Sequence, residues 1–299
     1  MEKKVSVVIT AYNVGEYIEQ AVRSALQECV DEVIVVTDKP TDNTLEVLEG
    51  IEDERLMIVN NQVNLGAGMS RRIGIQCSSS EYVLLLDGDD YLSDGFVKDL
   101  LERALATDAD VVSGGIKILE EDGTWKAESY GNCTTTGNDK ISRFWGERIV
   151  FMNNKLIRRK LYDYVPYCHR RYIEDTPVVI PILWYANKVE YVDNVGYTYR
   201  MRQGSLTHTT NVAKDVIYKG LCWLDLVDFF NEHDKSVFEC IKIKEYVGNI
   251  IKVLHRGLSV DEIAPYKEEW LEFTQRLFNA VSITGISFKE HAKGEEGHA

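Results

Sequence analysis

Three aspartates stand close together in Asp87-Gly-Asp-Asp90, directly after an apolar stretch of strand length. In an extended backbone side chains alternate with a period of two, so Asp87 and Asp89 project to the same side. Paired carboxylate oxygens are hard ligands that suit Mg²⁺ or Mn²⁺. The spacing therefore predicts a divalent cation held by Asp87 and Asp89. The alternative is an acidic turn that caps the helix following Ser93.

A cation at this position would explain how an acidic crevice could hold a second anion. Two like charges about 4 Å apart repel by roughly 4 kcal/mol at an effective dielectric near 20. A diphosphate beside Asp87 and Asp89 would therefore need a bridging divalent ion. The same ion would stabilise the diphosphate as a leaving group, which is Lewis-acid catalysis.

Two further loops carry residues with binding chemistry. Asp38 follows the second predicted strand and would accept hydrogen bonds from a base or a ribose. The alternative there is an Asx turn in which Asp42 caps the next helix. Gly66 and Gly68 permit close backbone approach, and Arg71 has the length to reach a phosphate or a sugar. A single Gly-x-Gly is weak evidence when it stands alone.

The second half of the chain supplies a candidate base and a basic stretch. Asp175, in Glu174-Asp175, could take a proton from an acceptor hydroxyl, or it could simply cap the helix that begins near Pro177. Arg200 and Arg202 lie in a polar stretch that would close over phosphates. His208 is a candidate third metal ligand, although a lone surface histidine is the commoner state.

The first 120 residues alternate between strand and helix patterns, which predicts a mainly parallel sheet with helices on both faces. In such a sheet ligands bind beyond the carboxyl ends of the strands. The predicted strands are Val5–Thr10, Val33–Val36, Leu56–Val59, Tyr82–Leu86 and one that begins at Val111. The predicted helices start at an Asn13–Glu16 capping box, cover Leu45–Leu48 and Ala67–Gln76, and run from a Ser93 cap to about Ala106.

After Gly115 the pattern changes, and an Asp122-Gly123 turn predicts a hairpin. The chain divides into residues 1–115, a second half of the same domain at 116–208, a helical segment at 209–288 and a polar tail at 289–299. Aromatic faces in the helical segment would complete the core by default, and a homodimer contact or a peripheral membrane contact are the alternatives.

The composition narrows the class of protein. With 48 acidic and 34 basic residues, the net charge of −14 disfavours nucleic acid and anionic lipid as general partners. The sequence has no apolar run long enough to span a bilayer and no signal-peptide pattern after Met1. Six cysteines without a Cys-x-x-Cys pair argue against structural zinc and for a reducing compartment. We therefore expect a cytoplasmic protein, with contact at the inner face of the plasma membrane as a further expectation.

Taken in order, these segments resemble the family 2 glycosyltransferases of the GT-A fold that build bacterial surface polysaccharides. No single motif is decisive, but the order and spacing agree over roughly residues 4 to 208. The matching segments are Val5–Asn13, Asp87–Asp90, Asn154–Arg158, Glu174-Asp175, Tyr199–Arg202 and Ser205-Leu-Thr.

The resemblance implies an inverting transfer of a sugar from a nucleotide donor, usually a UDP-sugar, to a hydroxyl of a saccharide or lipid-linked saccharide in capsule, exopolysaccharide or O-antigen synthesis. Asp89 would hold Mn²⁺ or Mg²⁺, Asp87 would face the ribose or the metal, and Asp175 would be the base. The remaining donor-binding residues would be Thr10, Ala11, Tyr12, Asn13, Asp38, Gly66, Arg71, Gly88, Arg200 and Arg202.

The chain departs from the family pattern at two places. Its second strand ends Thr37-Asp-Lys-Pro-Thr-Asp42 where the family typically has Asp-Asp-Gly-Ser-x-Asp, and Arg72 stands where Asn is usual. The first change gives some weight to a nucleotide-binding scaffold that has lost activity. A sugar-1-phosphate nucleotidyltransferase or a dinucleotide-binding dehydrogenase would need a glycine-rich loop after the first strand, and Ala11–Gly15 holds a single glycine.

Overall fold

The computed structural model describes residues 4–146, 151–166, 173–202, 211–241 and 258–284. Its strands are β1 (Val5–Ala11), β2 (Glu32–Thr37), β3 (Leu56–Asn60), β4 (Tyr82–Asp87), β5 (Tyr91–Leu92), β6 (Val111–Leu119), β7 (Trp125–Glu128), β8 (Cys133–Thr135), β9 (Lys155–Arg158) and β10 (Val189–Arg200). Its α-helices are α1 (Ile18–Ala25), α2 (Thr44–Glu49), α3 (Ala67–Cys77), α4 (Phe96–Thr107), α5 (Asp139–Gly146), α6 (Thr176–Tyr185), α7 (Val212–His233), α8 (Val237–Cys240), α9 (Val260–Ile263) and α10 (Lys267–Thr284). Short 3₁₀ helices cover Arg159–Asp163 and Ala264–Tyr266.

The strands form one sheet in the order β3-β2-β1-β4-β9-β6-β10-β5, with β7 added to β6 and β8 added to β10. The first four strands in this order, β3, β2, β1 and β4, are parallel to one another, as the alternating pattern predicted. Beyond β4 the sheet is mixed, because β9 runs antiparallel between β4 and β6 while β6 and β10 are parallel to each other. The predicted hairpin is present as the antiparallel pair β6–β7.

Helices cover both faces of the sheet, and the alternation of side chains along the strands shows this directly. In β1, Val7 and Ile9 pack into a core that also contains residues of α1 and α4. The neighbouring Val8 points the other way, into a core shared with α3, α6 and α7. A strand buried on both faces requires a nearly continuous apolar run, which is what β1, β2 and β4 have.

Two predicted helix starts are wrong. Asn13 does not cap α1: its φ is +52°, its side chain exchanges hydrogen bonds with Thr41, and the helix begins at Ile18. Ser93 does not cap α4 either: the helix begins at Phe96 after Gly95, whose φ is +76°. In both places the residue bonds to a distant segment: Asn13 accepts from Thr41 N, and Ser93 N donates to the Gly196 carbonyl oxygen. These contacts, and not the local capping pattern, determine the shape of the loop.

The helical segment packs as the default interpretation predicted. Phe230 of α7 is fully buried and joins the same core as Phe273 and Leu277 of α10. The two helices approach closely at Gly220, where an added Cβ would lie 2.4 Å from the Phe273 ring. No helix of the described ranges is both long enough and apolar enough to cross a membrane.

Gly74 lets α3 lie directly on β1, and this gives a first prediction. A Cβ at position 74 would lie 2.3 Å from Val8 Cγ1, so we expect Gly74→Ala to destabilise the fold by about 1–3 kcal/mol through overpacking. Gly50→Ala is the matched control, because the nearest atom there is Val47 O at 3.4 Å and φ is −80°. Urea denaturation measures both variants, and equal midpoints would contradict the close packing of α3.

Candidate active site

Asp87 lies at the carboxyl end of β4, and the register of the sheet places it beside Thr10 at the end of β1. Its Oδ1 accepts hydrogen bonds from Thr10 Oγ1 at 3.2 Å and from Arg71 Nη2 at 2.9 Å. Its Oδ2 accepts from Asn153 Nδ2 at 2.7 Å. Gly88 allows this crowding, because a Cβ there would lie 2.9 Å from the Thr10 carbonyl oxygen.

Arg71 joins the two halves of the domain. Its Nη1 donates to Glu174 Oε1 at 2.8 Å and to Asp175 Oδ1 at 2.7 Å, while Nη2 holds Asp87. The side chain is buried, with 8% exposed. The predicted contact of Arg71 with a phosphate or a sugar would therefore require one of these ion pairs to open. The sequence did not indicate this linking position, because Glu174 and Asp175 are 103 and 104 residues away.

The alternative interpretation of Asp175 as a helix cap does not describe its side chain. Asp175 is the residue that precedes α6, yet within the described residues its carboxylate makes no capping hydrogen bond to that helix. It faces Arg71 instead, and Met152 N approaches its second oxygen at 3.5 Å. Asp175 and Asp87 thus bind the two terminal nitrogens of one guanidinium group, Nη1 and Nη2 respectively.

The turn after β4 is held by the end of β10. Arg202 Nε donates to Asp89 Oδ2 at 2.7 Å, and Arg200 Nε donates to the Asp89 carbonyl oxygen at 3.0 Å. Asp90, which the sequence did not single out, is buried and accepts from the Tyr197 hydroxyl and from Arg200 N. Like Asp87, these two carboxylates bind other residues of the site and do not cap α4.

One predicted site residue cannot be placed, and one residue of the site was not predicted. His208, the candidate third metal ligand, lies outside the described residues. Asn153 was missed: it donates to Asp87 and to the Tyr197 hydroxyl at 3.1 Å. The resemblance included the neighbouring Asn154–Arg158 segment without giving it a role, so the only signal for Asn153 was its position beside that segment.

Asp38, which follows β2, forms hydrogen bonds with the end of β1 and with the loop after β3. Asp38 N donates to the Ala11 carbonyl oxygen at 2.9 Å, and the buried Asp38 carboxylate accepts from Leu65 N and Gly66 N at 2.8 and 2.7 Å. Gly66 has a φ of +88°, which an L-residue rarely adopts. Tyr12, in contrast, is 48% exposed at the end of β1, where a ring could stack on a planar ligand.

Asp42 forms the predicted Asx turn, but within the described residues the cap position of α2 belongs to Asn43, whose side chain makes no capping hydrogen bond. Asp42 Oδ1 accepts from Thr44 N at 3.0 Å and from the Thr44 hydroxyl at the start of α2. Its Oδ2 accepts from Gly15 N at 2.9 Å. Hydrogen bonding, above all from Thr44, lowers the pKa of Asp42 despite the opposing effect of burial.

Crowded carboxylates give the site an unusual charge state. Burial raises the pKa of Asp175 to about 6, although Arg71 opposes the shift. Burial followed by the charge of Asp87 raises the pKa of Asp89, and the same causes raise the pKa of Asp90 well above its usual value. Asp175 is therefore ionised at neutral pH, and the carboxylates outnumber their guanidinium partners. The carboxylates are Asp87, Asp89, Asp90, Glu174 and Asp175, and the guanidinium groups that pair with them are those of Arg71 and Arg202.

This donor set fits a small divalent cation that is shared with a ligand. Within the part of the chain that the structure describes, no three His, Cys, Asp or Glu side chains form a group that could hold a metal by themselves. Mg²⁺ is often bound through one or two carboxylates and completes its shell with water and substrate phosphates. Asp87 and Asp89 can supply those carboxylates, and the excess negative charge around them favours a cation.

The sequence-family model for glycosyl transferase family 2 matches residues 6–168, which is more than half of the chain. The chain is 25% identical over 257 residues to the glycosyltransferase GlyG of Streptococcus pneumoniae serotype 4, covering 81% of this chain and 82% of GlyG. Among solved structures, Staphylococcus aureus TarS 1-349 superposes with a TM-score of 0.66 at 20% identity, covering 93% of this chain and 81% of TarS. The complex of TarS 1-349 with UDP-GlcNAc gives a TM-score of 0.59 at 21% identity over 83% and 81% of the two chains. The fold is thus the predicted GT-A fold, and the chain belongs to glycosyl transferase family 2.

Proposed function

We propose that this protein is an inverting, metal-dependent glycosyltransferase that moves a sugar from a UDP-sugar to a hydroxyl of a saccharide or lipid-linked saccharide. The observation that carries the proposal is the Arg71 ion-pair cluster, which brings Asp175 next to the carboxylates at the end of β4. A base and a diphosphate-metal site must be neighbours for a single displacement, and here one guanidinium group spans the distance between them. The solved complex of TarS with UDP-GlcNAc supports the choice of donor.

In this mechanism the acceptor oxygen attacks the anomeric carbon while the bond to the diphosphate oxygen breaks. The acceptor proton passes to Asp175, which is ionised above a pKa of about 6 and is therefore ready to accept it at neutral pH. The diphosphate leaves with the electron pair of the broken bond. A Mg²⁺ or Mn²⁺ ion at Asp87 and Asp89 would supply Lewis-acid stabilisation of that leaving group.

Other residues of the site orient the donor. Asn153 and Thr10 fix the Asp87 carboxylate, and Arg202 fixes that of Asp89. The exposed ring of Tyr12 stands at the end of β1, where it would stack on the base. Lys39 occupies the position of the family's glycine with a φ of +57°, so this chain keeps the turn but adds a cation at its surface.

Ligand-induced stabilisation tests the donor and the metal together. We expect UDP with Mn²⁺ to raise the melting temperature more than UDP alone, and more than GDP or CDP with Mn²⁺. Saturation at a hundredfold excess over Kd corresponds to about 2.7 kcal/mol. A panel of nucleotide sugars scored by released nucleotide then identifies the sugar. A protein that shows no metal-dependent shift with any nucleotide would instead be a scaffold of the same fold.

Asp89→Ala should abolish the metal-dependent part of that shift, because one of the two predicted ligands is lost. Asp94→Ala is the matched control, since Asp94 is an exposed carboxylate in the next loop, between β5 and α4. Asp89→Asn preserves the size of the side chain, which separates loss of the metal from loss of packing against Arg202. Undiminished UDP–Mn²⁺ stabilisation in both Asp89 variants would move the metal site elsewhere.

A further inference from the structure

Lys155 is a lysine in the interior of the protein. It begins β9, is 1% exposed and belongs to the largest fully buried side chains. Its Nζ donates to the Phe151 carbonyl oxygen and to Asn154 Oδ1, both at 2.6 Å. An ammonium group is seldom buried unless other groups satisfy it, so its position calls for an explanation.

The peptide group between Phe151 and Met152 connects this lysine to the proposed base. The carbonyl oxygen of that peptide accepts from Lys155 Nζ, and its N–H points at Asp175 Oδ2, with an N···O distance of 3.5 Å. An ammonium group on a carbonyl oxygen polarises the peptide and makes its N–H a better donor. Through this peptide, Lys155 strengthens the hydrogen bond that Met152 N offers to Asp175.

The same short segment also reaches the other side of the site. Asn153, two residues before Lys155, donates to Asp87, and Asn154 Nδ2 donates to the Gly114 carbonyl oxygen at 2.6 Å. Lys155 closes the turn that carries both asparagines by holding its first and fourth residues. The ammonium group thus links the first residue of the 151–155 segment to the residues that anchor the segment to Asp87 and to Gly114.

Charged groups face Asp175 from three elements and from the residue before it. Arg71 comes from α3, Asp87 from β4, Lys155 from β9, and Glu174 directly precedes it. Burial lowers the pKa of Lys155 to about 7, and the charge of Asp175 opposes this shift. Lys155 is therefore still largely cationic at about pH 6, where Asp175 titrates. In that range its positive charge favours the ionised form of the base.

We propose that Lys155 is a positioning residue that orients the Phe151–Met152 peptide towards Asp175 and stabilises the ionised base. This inference rests on the proposed function only in that Asp175 is taken to be the base. The interaction between Lys155 and Asp175 can be measured without any turnover.

The experiment titrates the Asp175 carboxyl carbon by NMR in full-length protein labelled with ¹³C-aspartate. The signal is assigned as the one that is missing from Asp175→Asn. We expect Lys155→Met to raise the titration midpoint by about one pH unit, since an opposite charge nearby is removed. Lys155→Arg should keep the midpoint close to that of the wild type. With UDP-GlcNAc and Mn²⁺ as the probe, the acid limb of the kcat profile should move in the same direction while KM changes little.

Lys140 provides a matched control. It is also a buried lysine, at 5% exposed, and its Nζ donates to the carbonyl oxygens of Ala186 and Trp184, away from the site. Lys140→Met should therefore lower the melting temperature without moving the Asp175 midpoint. If Lys155→Met does not fold, Lys155→Gln keeps a donor without the charge and takes its place.

The outcomes separate the two proposals. A midpoint that stays within about 0.2 pH units in Lys155→Met or Lys155→Gln overturns the role of Lys155 and leaves a buried lysine that only packs, like Lys140. A raised midpoint together with normal transfer by Asp175→Asn would keep the interaction but remove Asp175 as the base. In that case the proposed mechanism fails and the inference about Lys155 stands.

Discussion

We expect Asp175→Asn to reduce kcat for sugar transfer by about 10³-fold, within the range that general-base catalysis contributes. The amide cannot accept the acceptor proton, yet it keeps the size of the carboxylate and an oxygen that can still accept from Arg71 Nη1. Nucleotide binding should be nearly unchanged, because Asp175 is not among the predicted nucleotide contacts and the amide can still hold Arg71. Turnover is measured by released UDP, and binding by the UDP–Mn²⁺ thermal shift.

Glu174→Gln is the matched control for this prediction. Glu174 shares Arg71 Nη1 with Asp175, so its amide disturbs the same ion-pair cluster without touching the proposed base. We expect a reduction in kcat of less than about tenfold. If Asp175→Asn transferred sugar at a normal rate while Glu174→Gln did not, the base would be Glu174. Normal rates in both variants would leave the ion-pair cluster with a structural role alone.

The second large effect concerns stability. Arg71→Met should destabilise the protein by about 2–4 kcal/mol at pH 7, because it leaves three partly buried carboxylates without their shared partner. Asp87, Glu174 and Asp175 lie within 2.9 Å of its guanidinium nitrogens, and the side chain is 8% exposed. Guanidinium-chloride denaturation measures the loss.

The pH dependence of this loss has a definite sign. The pKa of Asp175 is raised from 3.8 to about 6 in the folded state, so its contribution favours folding at low pH and is lost as the pH rises through about 6. Removing Arg71 removes the positive charge that opposes this shift, so the pKa of Asp175 should rise further. The destabilisation of Arg71→Met should therefore be smaller at pH 5 than at pH 7.

Arg276 offers a matched control, because it also contacts three carboxylates. They are Asp225 and Asp228 of α7 and Glu272 of α10, at 2.6–2.8 Å, and Arg276 is more exposed at 23%. Partly solvated ion pairs contribute little, so Arg276→Met should cost about 1–2 kcal/mol. If Arg71→Met cost no more than Arg276→Met, or if its cost did not fall at pH 5, Arg71 would not be the charge centre of the site.

The sequence was sufficient for the part of the fold that local patterns determine. Apolar runs bounded by turn residues gave β1 to β4 to within one residue at their ends, and the alternation of strands and helices predicted their parallel arrangement. The default packing of the aromatic stripe on α7 was also correct, with Trp223 and Phe230 buried. In each case a property of neighbouring residues decides the outcome.

The sequence was insufficient where distant segments decide the structure. Nothing local in Lys155–Arg158 shows that this strand enters antiparallel between β4 and β6. Nor could spacing reveal that Arg71 pairs with Asp175, 104 residues later. Asn13 had the capping pattern, but in the structure its side chain accepts a hydrogen bond from Thr41 N and does not cap α1. Such contacts depend on register and packing, which periodicity does not encode.

The place of β9 in the sheet has a consequence for biosynthesis. β4 and β6 leave the ribosome before β9, so each must wait with an unpaired inner edge until Lys155–Arg158 has been made. Open strand edges invite pairing with other chains, which makes this interval the one most exposed to misassembly. Because Asn153 and Lys155 travel with the strand that fills the gap, the event that joins the two half-sheets also brings these two residues to the site, while Asp175, Arg200 and Arg202 come from segments that are made later.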